Sequence, residues 1–84
     1  MSWKVLVTDR ARRDVRRFPR HDLERIEKAV EALADGPFVG DVRKLGPGSY
    51  RKRVGEYRVL YDVDFTEQII SVTSVRRRTT TTYR

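Results

Sequence analysis

The chain contains no cysteine, one histidine and no apolar run long enough for a signal-peptide core or a membrane span. Without cysteine there is neither a disulfide framework nor a thiolate nucleophile, and one histidine alone argues against a protein-built metal cage. The apolar run that begins at Trp3 is short and flanked only by Lys4, so nothing in it addresses a membrane. We therefore expect a cytoplasmic protein that needs no metal and no small-molecule cofactor. Acidic side chains are the other shortage: 12 Asp and Glu stand against 19 Lys and Arg, a net charge of +7. With 84 residues, 38% of them apolar, the chain can build one modest core and not two, so a single domain over residues 1–84 is expected.

Most of the positive excess is arginine, whose planar fork matches phosphate oxygens. Nucleic acid is the favoured partner, and a genome rich in arginine codons is the bland rival. Placement decides between them, and hydrophobic period gives placement. Trp3 to Val7 alternates as a strand, and Thr8 or Asp9 can cap the helix that follows. There Ala11, Val15 and Phe18 share one side, Arg12, Arg13, Arg16 and Arg17 occupy the others, and Pro19 closes it. A second helix fits His21 to Ala34, striped by Leu23, Ile26, Val30 and Leu33 and stopped by Asp35-Gly36-Pro37.

Phe38 to Gly48 has the glycines and proline of a loop, with Val42 and Leu45 expected to pin it to the core. Beyond it the period becomes two. Ser49–Val54 and Tyr57–Val63 form a hairpin across a Gly-first turn at Gly55-Glu56, and Gln68–Val75 supplies a further strand. The expected order is β-α-α-β-β-β, an α+β domain with an antiparallel sheet and a helical pair packed on one face.

Arg51 and Arg53 leave the same face of their strand, and the two-residue turn sets Arg53 opposite Arg58. Three guanidinium groups thus converge, which destabilises a sheet unless an anion or a carboxylate compensates; Asp62, on the same face, could supply part of that. We read the cluster as a phosphate site. The chain closes on Arg76-Arg77-Arg78, four threonines, Tyr83 and Arg84. A tyrosine ring among arginines can stack on a base, and its hydroxyl can exchange a proton at reduced cost. His21 beside Asp22 reads as a structural surface pair, and Trp3 as core.

The stretch Tyr50-Arg51-Lys52-Arg53-Val54-Gly55-Glu56-Tyr57-Arg58-Val59-Leu60-Tyr61 resembles the YRxRxGxYRxxY hairpin of the RelE/ParE toxin superfamily. The likeness extends over the opening strand with Thr8 and Ala11, the helical pair, Lys44-Leu45, and the closing Ile70–Arg78 with Tyr83-Arg84. It implies a RelE-like toxin of a type II toxin–antitoxin system. RelE-type members cut mRNA in the ribosomal A site with basic residues and a C-terminal tyrosine, whereas ParE-type members poison gyrase and generally lack that set. The resemblance implies Arg51, Arg53, Arg58, Arg77 or Arg78, and Tyr83 as catalytic residues, with Lys44, Lys52, Arg76 and Arg84 also on RNA. It implies a RelB-like antitoxin with an amphipathic helix, mRNA and the 70S ribosome as partners. A gyrase inhibitor and a plain basic nucleic-acid-binding module remain open beside it.

Overall fold

The protein is described by a computed structural model over residues 3–77. The first strand, β1 (Lys4–Val7), hands over to helix α1 (Asp9–Asp14) at Thr8, whose Oγ1 accepts a hydrogen bond from the Ala11 amide at 3.2 Å. This N-cap satisfies one of the amides that a helix start leaves open. A 3-10 turn over Val15–Arg17 ends at Phe18, and Pro19 serves as the N-cap residue of α2 (Arg20–Ala32). A second 3-10 turn, Leu33–Asp35, follows. Strands β2 (Asp41–Gly46), β3 (Ser49–Val54), β4 (Tyr57–Asp64) and β5 (Ile69–Arg77) complete a five-stranded sheet in the order β1-β5-β4-β3-β2. No helix among the described residues is long and apolar enough to cross a membrane.

Two features depart from the expected architecture. The expected loop contains β2, which pairs antiparallel with β3 from Asp41↔Arg53 to Lys44↔Tyr50. Asp41, Arg43 and Lys44 hide its alternation, because an edge strand has to bury little and is protected by charge. Val42 does pack against the core, but Leu45 is 55% exposed and pins nothing. The sheet is also not wholly antiparallel. The first strand inserts beside the last one and runs parallel to it, Lys4↔Ile69 through Val7↔Val72.

One face of this sheet carries the helices. Tyr57, Val59, Tyr61 and Val63 of β4 are buried against Ala11, Ile26 and Leu33, with Ile70, Val72 and Val75 of β5 beside them. The alternate residues of β4 go to the opposite face, which no helix among the described residues covers. At the hairpin, Gly55 adopts φ +59° and Glu56 does not share the positive sign, so the Gly-first turn forms as expected. It places Val54 opposite Tyr57 and Arg53 opposite Arg58.

Between β4 and β5 the register shifts by one residue. Tyr61 pairs with Val72 and Leu60 with Ser74, leaving Thr73 as an extra residue, a β-bulge. Its hydroxyl and carbonyl are satisfied: Thr73 Oγ1 donates to the Leu60 carbonyl at 3.3 Å, and the Thr73 carbonyl accepts from Thr8 Oγ1 at 3.3 Å.

Tyr61 is the largest fully buried side chain, and its hydroxyl donates to the Pro37 carbonyl, tying the post-helix loop to the sheet centre. Burial, then the neighbouring Tyr50, pushes its hydroxyl up to about 12 from 10.0. A folded-state value above the unfolded one means that its stabilisation is complete below pH 10 and fades as pH rises towards 12. We predict that Tyr61→Phe, which leaves the Pro37 carbonyl unpaired, costs about 1–3 kcal/mol in urea unfolding at neutral pH. The same variant should lose stability less steeply between pH 10 and 12; equal stability and an unchanged alkaline limb would remove this anchoring role.

Candidate nucleic-acid interface

Strand pairing orders the uncovered face into rows that run across the strands. The row nearest the β3–β4 turn is Asp41, Arg53, Arg58 and Arg76, one from each of β2 to β5. The next is Arg43, Arg51, Leu60 and Ser74, and the one after it is Ser49, Asp62 and Ser71. Adjacent strands lie about 4.8 Å apart, so Arg53, Arg58 and Arg76 span about 10 Å at the backbone. Arg43, Arg58 and Arg76 are exposed, and Arg51 and Arg53 are half-buried.

Among the described residues this face holds five arginines in two rows. Among the described residues the ion pairs are His21–Asp22 and Arg77–Glu56, and neither involves these five. Asp62, a candidate for partial neutralisation, accepts instead from Ser49 Oγ at 3.0 Å, one row beyond the basic ones. A guanidinium array with no carboxylate in ion-pair reach favours an anion from outside. Asp62 in the third row and Asp41 at the end of the first row set negative boundaries to it. A polyanionic strand is best accommodated across the strands, along the two rows.

The structure sorts the sequence-derived candidates sharply. Arg51, Arg53 and Arg58 share one patch, as their spacing requires, and Arg76 joins them because it is the register partner of Arg58. Arg77 does not. It pairs with Tyr57, a helix-side residue, and its guanidinium lies 3.3 Å from Glu56 and 5.8 Å from the centre of the Tyr57 ring. Lys44 is exposed, but its partner is Tyr50, so it leaves from the helix-side face. Arg78, Tyr83 and Arg84 lie outside the described residues. Arg43, which the sequence reading passed over, stands directly across from Arg51; recognising β2 as a strand would have found it.

Lys52 is a correction. Expected on RNA, it is only 6% exposed and donates from Nζ to the Ala29 carbonyl of α2 at 2.9 Å. Being one residue out of phase with Arg51 and Arg53 sends it to the covered face. Gly40, at φ +91°, leaves room for its stem, where an added Cβ would meet Lys52 Cε at 2.9 Å. Burial pulls its ammonium below the ordinary lysine value of 10.5.

A second polar cluster sits at the hairpin turn on the covered side. A cavity of about 290 Å³ there is lined by Asp22, Arg25, Gly55, Glu56, Tyr57 and Arg77. The Tyr57 hydroxyl donates to Asp22 Oδ2 at 2.6 Å, and burial followed by this carboxylate raises its titration above the ordinary value. Asp22 also meets His21 Nε2 at 3.1 Å. The cluster fastens the start of α2 to the hairpin. Among the described residues no three His, Asp or Glu side chains gather as metal ligands.

The frame is shared with solved toxins. The chain superposes with the RelE–RelB complex of Pyrococcus horikoshii at TM-score 0.85, with 26% identity, 96% of this chain and 100% of the other covered. It matches the toxin–antitoxin complex RelBE2 of Mycobacterium tuberculosis at TM-score 0.80, with 28% identity and 93% of each chain covered. In sequence it is 28% identical over 83 residues to the Methanocaldococcus jannaschii protein described as "Putative toxin RelE1", covering 93% of this chain and 92% of that protein. Residues 5–81 match the family model of the ParE toxin of type II toxin–antitoxin systems. The chain belongs to that family, within the RelE/ParE toxin superfamily.

The two faces should separate in solution. Each lost phosphate contact on a single strand flattens the dependence of log Kd on log salt by about 0.7. Arg51→Met should produce that change with a short oligoribonucleotide, whereas Lys52→Met should leave the slope alone. Lys52→Met should act on stability instead. The unfolded chain binds more protons at Lys52 than the folded one just below pH 10.5, so parent stability rises with pH there, and the variant should lack the rise. A weakened salt slope in Lys52→Met would contradict its placement.

Proposed function

We propose that this type II toxin is a ribosome-dependent endoribonuclease that cleaves mRNA in the A site and so inhibits translation in the cytoplasm. The row Arg53–Arg58–Arg76, free of carboxylate partners among the described residues, is the observation that carries the proposal. Complexes of similar toxins with RelB support a RelB-like antitoxin as the cognate partner of this chain. An acidic, amphipathic antitoxin helix would suit a toxin of net charge +7.

In the proposed reaction the ribose 2′-oxygen bonds to the adjacent phosphorus and the bond to the 5′-oxygen breaks. The 2′-proton passes to a base and a proton is delivered to the 5′-oxygen. The products are a 2′,3′-cyclic phosphate and a 5′-hydroxyl. Arginine serves the middle of this sequence best, where negative charge builds on the phosphorane. Arg58 holds the central place, with Arg53 and Arg76 on either side and Arg51 one row behind. An always-protonated guanidinium is a poor base. Proton transfer is therefore assigned to Tyr83, which Arg78 precedes and Arg84 follows in the sequence. In-line geometry is assigned to the ribosome, which bends the mRNA towards attack. Neither metal nor cofactor enters the scheme.

A gyrase-directed toxin that cleaves nothing is the second reading, favoured by the ParE family model. One pair of assays separates them. Under the ribonuclease reading, purified toxin cuts an A-site codon on programmed ribosomes and leaves gyrase supercoiling intact. Arg58→Ala should lower single-turnover cleavage by roughly 10² to 10³, the scale of losing one preorganised donor. Arg58→Lys should recover part of it, keeping the charge without the fork. Full cleavage by a folded Arg58→Ala protein, or inhibited supercoiling with no RNA cut, would overturn the proposal.

A further inference from the structure

Arg76 does not stand alone on β5. Ser74, two residues earlier on the same face, is only 4% exposed and donates from Oγ to Asp14 Oδ2 at 3.0 Å. The same carboxylate oxygen accepts the Val75 amide at 3.0 Å. That amide needs a partner, because β1 pairs with β5 only as far as Val7↔Val72. Arg76 in turn donates from Nε to Ser74 Oγ at 3.4 Å.

A hydroxyl has one proton and two lone pairs. With the proton committed to Asp14, Ser74 can only accept on its other side, and what it accepts is Nε–H. That leaves both terminal nitrogens of Arg76 for the row it shares with Arg58. Asp14 also puts a negative charge behind Arg76, reached through Ser74. It thereby offsets the repulsion between two arginines set directly opposite each other. The 3.4 Å contact is at the long end for such a bond.

We propose that Asp14 and Ser74 are positioning residues, a relay from the end of α1 that aims Arg76 at the anion on the open sheet face. The inference rests on the anion-binding part of the function proposed above. It assigns α1 a role at the site although that helix contributes no residue to the arginine rows.

The test uses the whole chain and an uncleavable probe, a short 2′-O-methyl oligoribonucleotide, in a double-mutant cycle. Ser74→Ala should weaken binding roughly fivefold, the scale of one hydrogen bond, and should weaken it no further in an Arg76→Ala background. A Ser74 that merely packs would cost the same factor in both backgrounds, and that additivity overturns the relay. Asp14→Asn, which keeps shape and an acceptor oxygen, should weaken binding less than Asp14→Ala. The Arg76 Nε–H resonance should shift and exchange faster with solvent in Ser74→Ala; an unchanged resonance also overturns the proposal. Ribosome assays on the parent chain keep the two ideas apart. Coupling without cleavage upholds the relay and rejects the nuclease, whereas cleavage without coupling rejects the relay alone.

Discussion

The alternation of β4 governs the molecule. Tyr57, Val59, Tyr61 and Val63 go into the core, and Arg58, Asp62 and Asp64 leave on the far side, because successive side chains of a strand point to opposite faces. A slip of one residue would bury charge and expose these four side chains, so the register is held by the whole core at once. The neighbouring strands then inherit their faces from β4. Arg51 and Arg53 become surface and Lys52 becomes interior through that inheritance, although the three are adjacent in sequence and carry the same charge.

Concentrating five arginines on one face of so small a sheet works against stability, and the structure compensates at the margins. Asp41 and Asp62 border the rows, and Asp14 lies behind Arg76 without entering them. The covered face uses its polar groups differently. Tyr61 on Pro37, Tyr57 on Asp22 and Lys52 on Ala29 each join a helix or loop to the sheet, and every one satisfies a group that burial would otherwise leave unpaired. The covered face therefore satisfies its buried polar groups internally, whereas the five arginines of the other have no ion-pair partner among the described residues.

The bulge at Thr73 links the two. Were Thr73 paired with Leu60 in regular register instead of bulged, Arg76 would fall opposite Tyr57 on the helix side and Val75 would face Arg58. With the bulge, Val75 returns to the core, Arg76 comes to the open face and Arg77 turns to Glu56. A single-residue irregularity, satisfied by Thr8 and Leu60, selects which member of an arginine run joins the site.

Local pattern determined much of this protein: the two helices and the Thr8 cap of the first, the Gly-first hairpin, the opposition of Arg53 and Arg58, and the shared face of Arg51, Arg53 and Arg58. These depend on periods of 2 and 3.6 and on turn chemistry, all written in a few consecutive residues. The hairpin motif also carried the family likeness. Tertiary structure alone decided the rest. An edge strand as charged as β2 has no apolar alternation to announce it, so Arg43 stayed hidden. The parallel seat of β1 beside β5 depends on contacts more than sixty residues apart. The choice of Arg76 over Arg77 depends on a bulge, and a bulge arises from pairing with another strand rather than from the sequence of its own.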